Sequence, residues 1–174
     1  MRIKYLALIM FLVPAASGCF GTKPSTEPIC LGETVSVNGP LDKLGSATRF
    51  NEELSQIVER RGEVTMGELT RAAGWSDAWD RVVDVYGGID AADLSRAAQS
   101  GPAAECWRGL PTRGSSSSDR PAQGFYLFLS GGKLVQKVLW SADRKWIEMG
   151  RGVGLTPESL LVTDPTRHIL VPAG

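Results

Sequence analysis

The stretch GFYLFLSGGKLVQKVLW, residues 124–140, reads as a β-hairpin. Two apolar runs, Phe125 to Leu129 and Leu134 to Trp140, flank Ser130-Gly131-Gly132-Lys133. A Gly-Gly pair takes the positive φ values a tight hairpin turn needs, and the aromatic and aliphatic residues around it suit a half-buried pleated surface. Lys133, Gln136 and Lys137 supply polar positions in the return strand. Trp146-Ile147-Glu148-Met149 is expected as a third strand. His168-Ile169-Leu170-Val171 is expected as a short last strand after the turn-forming Asp164-Pro165. The C-terminal half therefore reads as an antiparallel meander.

Upstream the apolar spacing changes to that of helices. Phe50, Leu54, Ile57 and Val58 share one face, with Asn51, Glu52, Glu53, Glu59 and Arg60 opposite, which predicts a helix from Ala47 to Arg61 ended by Gly62. Thr65-Met66-Gly67-Glu68 has the form of a capping box and opens a shorter helix, stopped by Gly74. Residues 79–86 fit a helical face or a strand; the β-branched Val82, Val83 and Val85 favour the strand. Asp90 is placed to cap a helix from Ala91 to Gln99, with Ile89 and Leu94 spaced as a hydrophobic staple. GLPTRGSSSSDRPAQG, residues 109–124, reads as a solvated loop. Helices first and a meander last predict an α+β domain, its N-terminal helices packed on one face of a small antiparallel sheet.

The chain starts Met1-Arg2-Ile3-Lys4, runs apolar from Tyr5 to Ala16 and reaches Ala16-Ser17-Gly18-Cys19. A basic start, a short apolar run and small residues are the layout of a secretory signal. The run is shorter than the roughly twenty residues a membrane-spanning helix needs. With Cys19 directly after the small residues, the leader resembles those of bacterial lipoproteins, although Ala16 stands where that family most often has Leu. The resemblance implies cleavage before Cys19 and a diacylglyceryl group on its thiol. It also implies a lipid-anchored protein at the cell membrane or outer membrane, facing the extracytoplasmic side. Plain secretion and a cytosolic chain with an accidental leader are the competing readings. The expected organisation is a signal peptide over 1–18, a lipidated tether over 19–29 and one domain over 30–174. Ten tether residues reach at most about 35 Å, which holds the domain close to the bilayer.

Three cysteines are present: Cys19, Cys30 and Cys106. If Cys19 carries lipid, Cys30 and Cys106 remain to pair in an oxidising compartment; two separate buried thiols are the alternative. The bridge would close a loop worth roughly 4 kcal/mol in the chain-entropy model. Zinc-type ligand spacing is absent, and no cofactor motif is found.

Charge is balanced, at 19 basic and 19 acidic residues; loss of Arg2 and Lys4 with the leader leaves 17 basic. No basic stripe of the kind nucleic acid requires is evident. His168 is the only histidine, and no Gly-x-Ser-x-Gly elbow precedes it, so no catalytic residue is assigned. Asp77 and Asp80 alternate with Trp75 and Trp79 along the chain. These four either form an acidic, Trp-lined cleft or contact surface, or leave the carboxylates in solvent with the indoles in the core. Gly150-Arg151-Gly152-Val153-Gly154 lacks the Gly-Lys-Ser/Thr ending of a phosphate loop and reads as a turn-rich connection.

The order of elements over residues 63–140, with WDRVVDVYGG before a capped helix and the hairpin, resembles small exported bacterial proteins of uncharacterised function, a family that implies no activity. The expected role is a non-catalytic cell-envelope lipoprotein, a membrane-tethered binding or structural module with a protein partner in the envelope. An inhibitor or immunity protein neutralising a secreted or envelope enzyme is the second reading. A sugar-active enzyme using the acidic Trp-lined cleft is the third.

Overall fold

The computed structural model describes residues 29–38, 41, 43–99, 101–112 and 123–174. The leader, Cys19, the tether through Pro28 and the serine run of the long loop lie outside the described residues. In chain order the elements are β1 (Val35–Ser36), α1 (Ala47–Glu59), β2 (Glu63–Thr65), α2 (Met66–Ala72), β3 (Arg81–Tyr86) and α3 (Ala91–Ala98). They continue with β4 (Trp107–Arg108), β5 (Gln123–Ser130), β6 (Lys133–Ser141), β7 (Gly154–Leu155), β8 (Leu160–Asp164) and β9 (Ile169–Pro172). The fold is α+β.

Local chemistry accounts for the helices. Ser46 caps α1 by accepting from the Arg49 N–H. The helix is shorter than its sequence spacing predicts, because Arg61, not Gly62, takes the left-handed conformation at φ 51. The Gly62 N–H then returns to Ile57 O and the Arg61 N–H to Val58 O, the paired bonds of a Schellman ending. At α2 the capping box is complete. Thr65 Oγ1 accepts from the Glu68 N–H at 3.2 Å, and Glu68 Oε2 accepts from the Thr65 N–H at 3.0 Å. The Thr65 backbone N–H and its hydroxyl hold the Glu68 carboxyl below its ordinary value.

The hairpin β5–β6 forms one side of a four-stranded antiparallel sheet ordered β6-β5-β3-β7, with β5 and β3 in the middle. Residues 81–86 form a strand because their neighbours alternate between two cores. Val82 faces α1 and α2 with Tyr126, Phe128, Val138 and Trp140, while Val83 and Val85 face α3 with Leu127 and Leu129. The two N-terminal helices thus share one face, and α3 covers the other. A bulge lets Leu129 pair with Leu134 and Phe128 with Gln136. It turns Leu134 toward α3 and buries Gln136 on the opposite side, where its Oε1 accepts from the Leu44 N–H and its Nε2 donates to Gly45 O.

The meander divides between two sheets. Residues 146–149 do not form the expected third strand; they make a single parallel bridge, Ile147 to Leu170. Their backbone is instead engaged by β9 on one side and by the Tyr126 side chain of β5 on the other. β8 and β9 pair with β2 in a separate three-stranded antiparallel sheet. β8 was not expected, and β9 starts one residue late. His168, at φ 53, belongs to the turn before it.

Cys30 and Cys106 are bonded, with Cα atoms 4.8 Å apart and a sequence separation of 76. The bridge sits beside the parallel pair of β1 with β4, where Val35 lies opposite Trp107. It fastens the start of the domain to the α3 side. Replacing both cysteines by Ser should lower stability by about 4 kcal/mol at most, and the thermal midpoint by on the order of 10 °C. Thermal unfolding with and without reductant checks this; an unchanged midpoint would show that the bridge does not stabilise the fold.

Candidate functional site

Trp75 and Trp79 are each 5% exposed. Trp75 stacks on Phe50 with ring centroids 4.7 Å apart, and both indoles meet Phe128 edge-on, at 5.0 and 5.1 Å. The Trp75 Nε1–H donates to Ser46 O at 2.9 Å. Asp77 and Asp80 are exposed, and the Asp80 carboxylate accepts from the Gly131 N–H at the hairpin turn. Of the two readings of Trp75, Asp77, Trp79 and Asp80, the burial pattern follows the one with the indoles in the core and the carboxylates in solvent. The rings complete the core between α1 and β5, and the carboxylates turn outward. Asp77 and Trp79 still border a shallow depression of about 520 Å³ with Arg71 and Glu158, but Trp79 offers it no open ring face.

Another tryptophan does reach a groove. A hollow of about 680 Å³ runs between α1 and the outer edge of β6. Thr48, Asn51, Glu52 and Ser55 form the helical wall, Leu139 and Ser141 the strand wall, with Gln123 beside them. Trp140, Arg144 and Trp146 complete the lining. Trp146 is half-buried, and Leu139 is 55% exposed. Glu52 and Arg144 give the groove one charge of each sign.

The outer edge of β6 is already used over part of its length. The Lys137 N–H donates to Leu41 O at 3.1 Å, and Val135 O accepts from the Lys43 N–H at 3.3 Å. Strand alternation turns the main-chain groups of Leu139 and Ser141 to that same edge. Among the described residues no backbone partner meets them there.

Behind the groove lies a buried polar cluster that sequence reasoning missed. Asp84, 6% exposed in β3, accepts from the Trp140 Nε1–H at 2.9 Å and pairs with Lys145 Nζ at 2.8 Å. Lys145 Nζ also lies 4.7 Å from the Trp140 ring and 3.3 Å from Glu148, which Arg167 meets from outside. Burial lifts the Asp84 carboxyl above its ordinary value, with Lys145 and Trp140 opposing. Tyr126 donates its hydroxyl to Ile147 O at 3.0 Å and accepts from the Ile147 N–H at 2.9 Å. Gly124, opposite Trp140, leaves the space that the indole fills; a Cβ there would collide with Trp140 Cζ2 and Val85 O. Trp140 is thus held from behind by Asp84, while Trp146 packs partly against the core. The available signal was one acid, Asp84, set among Val82, Val83, Val85 and Tyr86.

Asp84 does not line the groove, so it positions Trp140. His168 is exposed, and its ring makes no hydrogen bond among the described residues. Among the described residues no group of three or more His, Cys, Asp or Glu side chains could hold a metal ion. No described helix is long and apolar enough to cross a membrane. Fold and site together define a small α+β domain with a groove between a helix and a strand edge. No family model, curated protein or solved structure matches the chain.

The cluster makes the fold sensitive to alkali. Burial pushes the Tyr126 hydroxyl far above its ordinary value of 10.0. Burial opposes the charge on Lys145, but Asp84 and Glu148 carry it above its ordinary 10.5. Both groups hold protons in the folded chain that the unfolded chain sheds above pH 10.0, so stability falls as pH rises through that range. Tyr126→Phe should cost about 1–3 kcal/mol at neutral pH, because both backbone groups of Ile147 lose their partner. Its thermal midpoint should also fall less steeply than that of the wild type above pH 10.0. Parallel alkaline limbs in the two proteins would remove Tyr126 from this account.

Proposed function

We propose that this protein is a non-catalytic cell-envelope lipoprotein, a binding module anchored by lipid at Cys19 that holds a protein partner in the groove between α1 and β6. The observation that carries the binding role is the groove itself, where a half-buried Trp146 and an exposed Leu139 stand among polar side chains of α1. Aromatic residues at the centre of a concave surface are favoured interface anchors, and a polar rim such as Asn51, Glu52, Ser55 and Gln123 is the usual surround. The anchor reading is supported by Ala16-Ser17-Gly18-Cys19 at the end of a basic-then-apolar leader. The Cys30–Cys106 bridge is in keeping with an oxidising destination. Balanced charge supports a protein partner over nucleic acid. A solitary, exposed histidine in a turn supports a role without acid–base chemistry.

Two measurements separate the parts of this reading. Wild-type protein should enter the detergent phase with a lipid mass on its N-terminal Cys19, and Cys19→Ser should leave it unprocessed or soluble. A correctly cleaved Cys19→Ser protein that stays on the membrane refutes the anchor. For the groove, Trp146→Ala should weaken capture of the partner cross-linked in intact envelopes by at least about tenfold, equivalent to 1.4 kcal/mol. Undiminished capture by this variant, with its thermal midpoint intact, places the partner elsewhere on the domain.

A further inference from the structure

We propose that the domain rests on the bilayer through Ile29 and Leu31, whose side chains enter the membrane interface beside the lipid anchor. The inference rests on the anchor at Cys19 proposed above and adds to it a fixed orientation of the folded part. Exposure is the first argument. Ile29 is 79% exposed and Leu31 is 94% exposed, the two most exposed large apolar side chains among the described residues. A single surface leucine is ordinary in a folded protein. These two flank Cys30, whose disulfide to the buried Cys106 ties the segment to the domain. Both side chains are therefore presented together from a covalently fixed support.

The surroundings are the second argument. Pro102, Ala103 and the Gly131-Gly132 turn lie beside Leu31, so the nearby surface is built largely of small side chains. The charged residues there are Glu33, Lys133 and Glu105, and the first two pair at 3.7 Å. Positive charge is not in excess, so the contact is apolar and not an electrostatic hold on anionic headgroups.

The third argument is the leash. Ile29 stands ten positions after Cys19, which places the lipid within about 35 Å of it even along a fully extended chain. Bilayer contact is then an intramolecular event at high effective concentration, and a small apolar contribution is enough to hold it. A soluble partner has no such advantage at these two residues. Cys106 follows α3, and α3 covers the face of the sheet opposite α1. Contact at Leu31 accordingly turns the α1 face, with the groove, toward the aqueous side.

The test uses the full lipidated chain in vesicles of phosphatidylethanolamine and phosphatidylglycerol. A photoactivatable diazirine side chain is placed in turn at positions 29, 31 and 139, the last being an exposed leucine of the groove. Lipid adducts at 29 and 31 should exceed those at 139 by at least about tenfold. They should persist in high salt, because apolar contact is not screened. Leu31→Glu should lower the adduct yield at position 29 by at least about fivefold, since a carboxylate opposes entry into the interface. Its thermal midpoint should stay unchanged, because Leu31 buries almost nothing in the domain itself. Equal adducts at 29, 31 and 139, on protein whose Cys19 carries lipid, overturn the contact and leave the anchor standing. Adducts that vanish in high salt overturn it in favour of headgroup charge, and adducts to protein overturn it in favour of a protein partner or a second copy. Protein without lipid on Cys19 removes both the contact and the anchor.

Discussion

The hydroxyl of Tyr126 takes both backbone groups of Ile147, and the two sheets of the domain meet through that residue. On one side Tyr126 belongs to β5, the centre of the four-stranded sheet. On the other, the carbonyl of Trp146 and the N–H of Glu148 bond Leu170 in β9, the edge of the three-stranded sheet. A segment with no partner strand of its own is therefore satisfied from two directions, as a fully buried backbone must be. The Asp84–Lys145 pair beside it is a second fastening at higher stakes. A buried carboxylate is tolerable only while its cation and its Trp140 donor stay in place.

The groove follows from this joint. Trp146 lies between the anchored Lys145 and Ile147, its carbonyl accepts from the Leu170 N–H, and its side chain packs partly against the core. Trp140 is set by Asp84 through its Nε1–H and by the absent side chain of Gly124 beneath it. A concave surface built on such supports is pre-organised, and binding there loses little to ordering the site. At the opposite end of the hairpin, the Asp80 carboxylate receives the Gly131 N–H, and the Cys30–Cys106 bridge holds the start of the domain to the α3 side.

The sequence was most legible where one local rule acts on one segment. The capping box of α2, the Asp90 cap of α3 and the Gly-Gly turn between β5 and β6 are decided within a few residues. Residues 81–86 were readable as a strand because three β-branched residues cannot share a helical turn without crowding. Legibility failed at 146–149, where an apolar tetrapeptide carries no mark of which neighbour will bond its backbone. It failed likewise at Arg61, which accepts a left-handed conformation beside a glycine that could have taken it at less cost. Trp75 and Trp79 are indistinguishable from Trp146 by residue type, yet two fill the core and one borders the groove.

What the sequence by itself determined is the class of fold, the hairpin, the helices with their caps, and the short list of cysteines able to pair. Each rests on periodicity, turn chemistry or counting, and these act over distances of a few residues along the chain. Only the tertiary structure decided that Asp84 meets Lys145 across 61 positions of sequence, that Ile147 hangs on Tyr126, and that a groove opens between β6 and the flank of α1. Those outcomes depend on which surfaces are buried against one another, because a buried backbone or charge takes whatever partner the packing brings within hydrogen-bond reach.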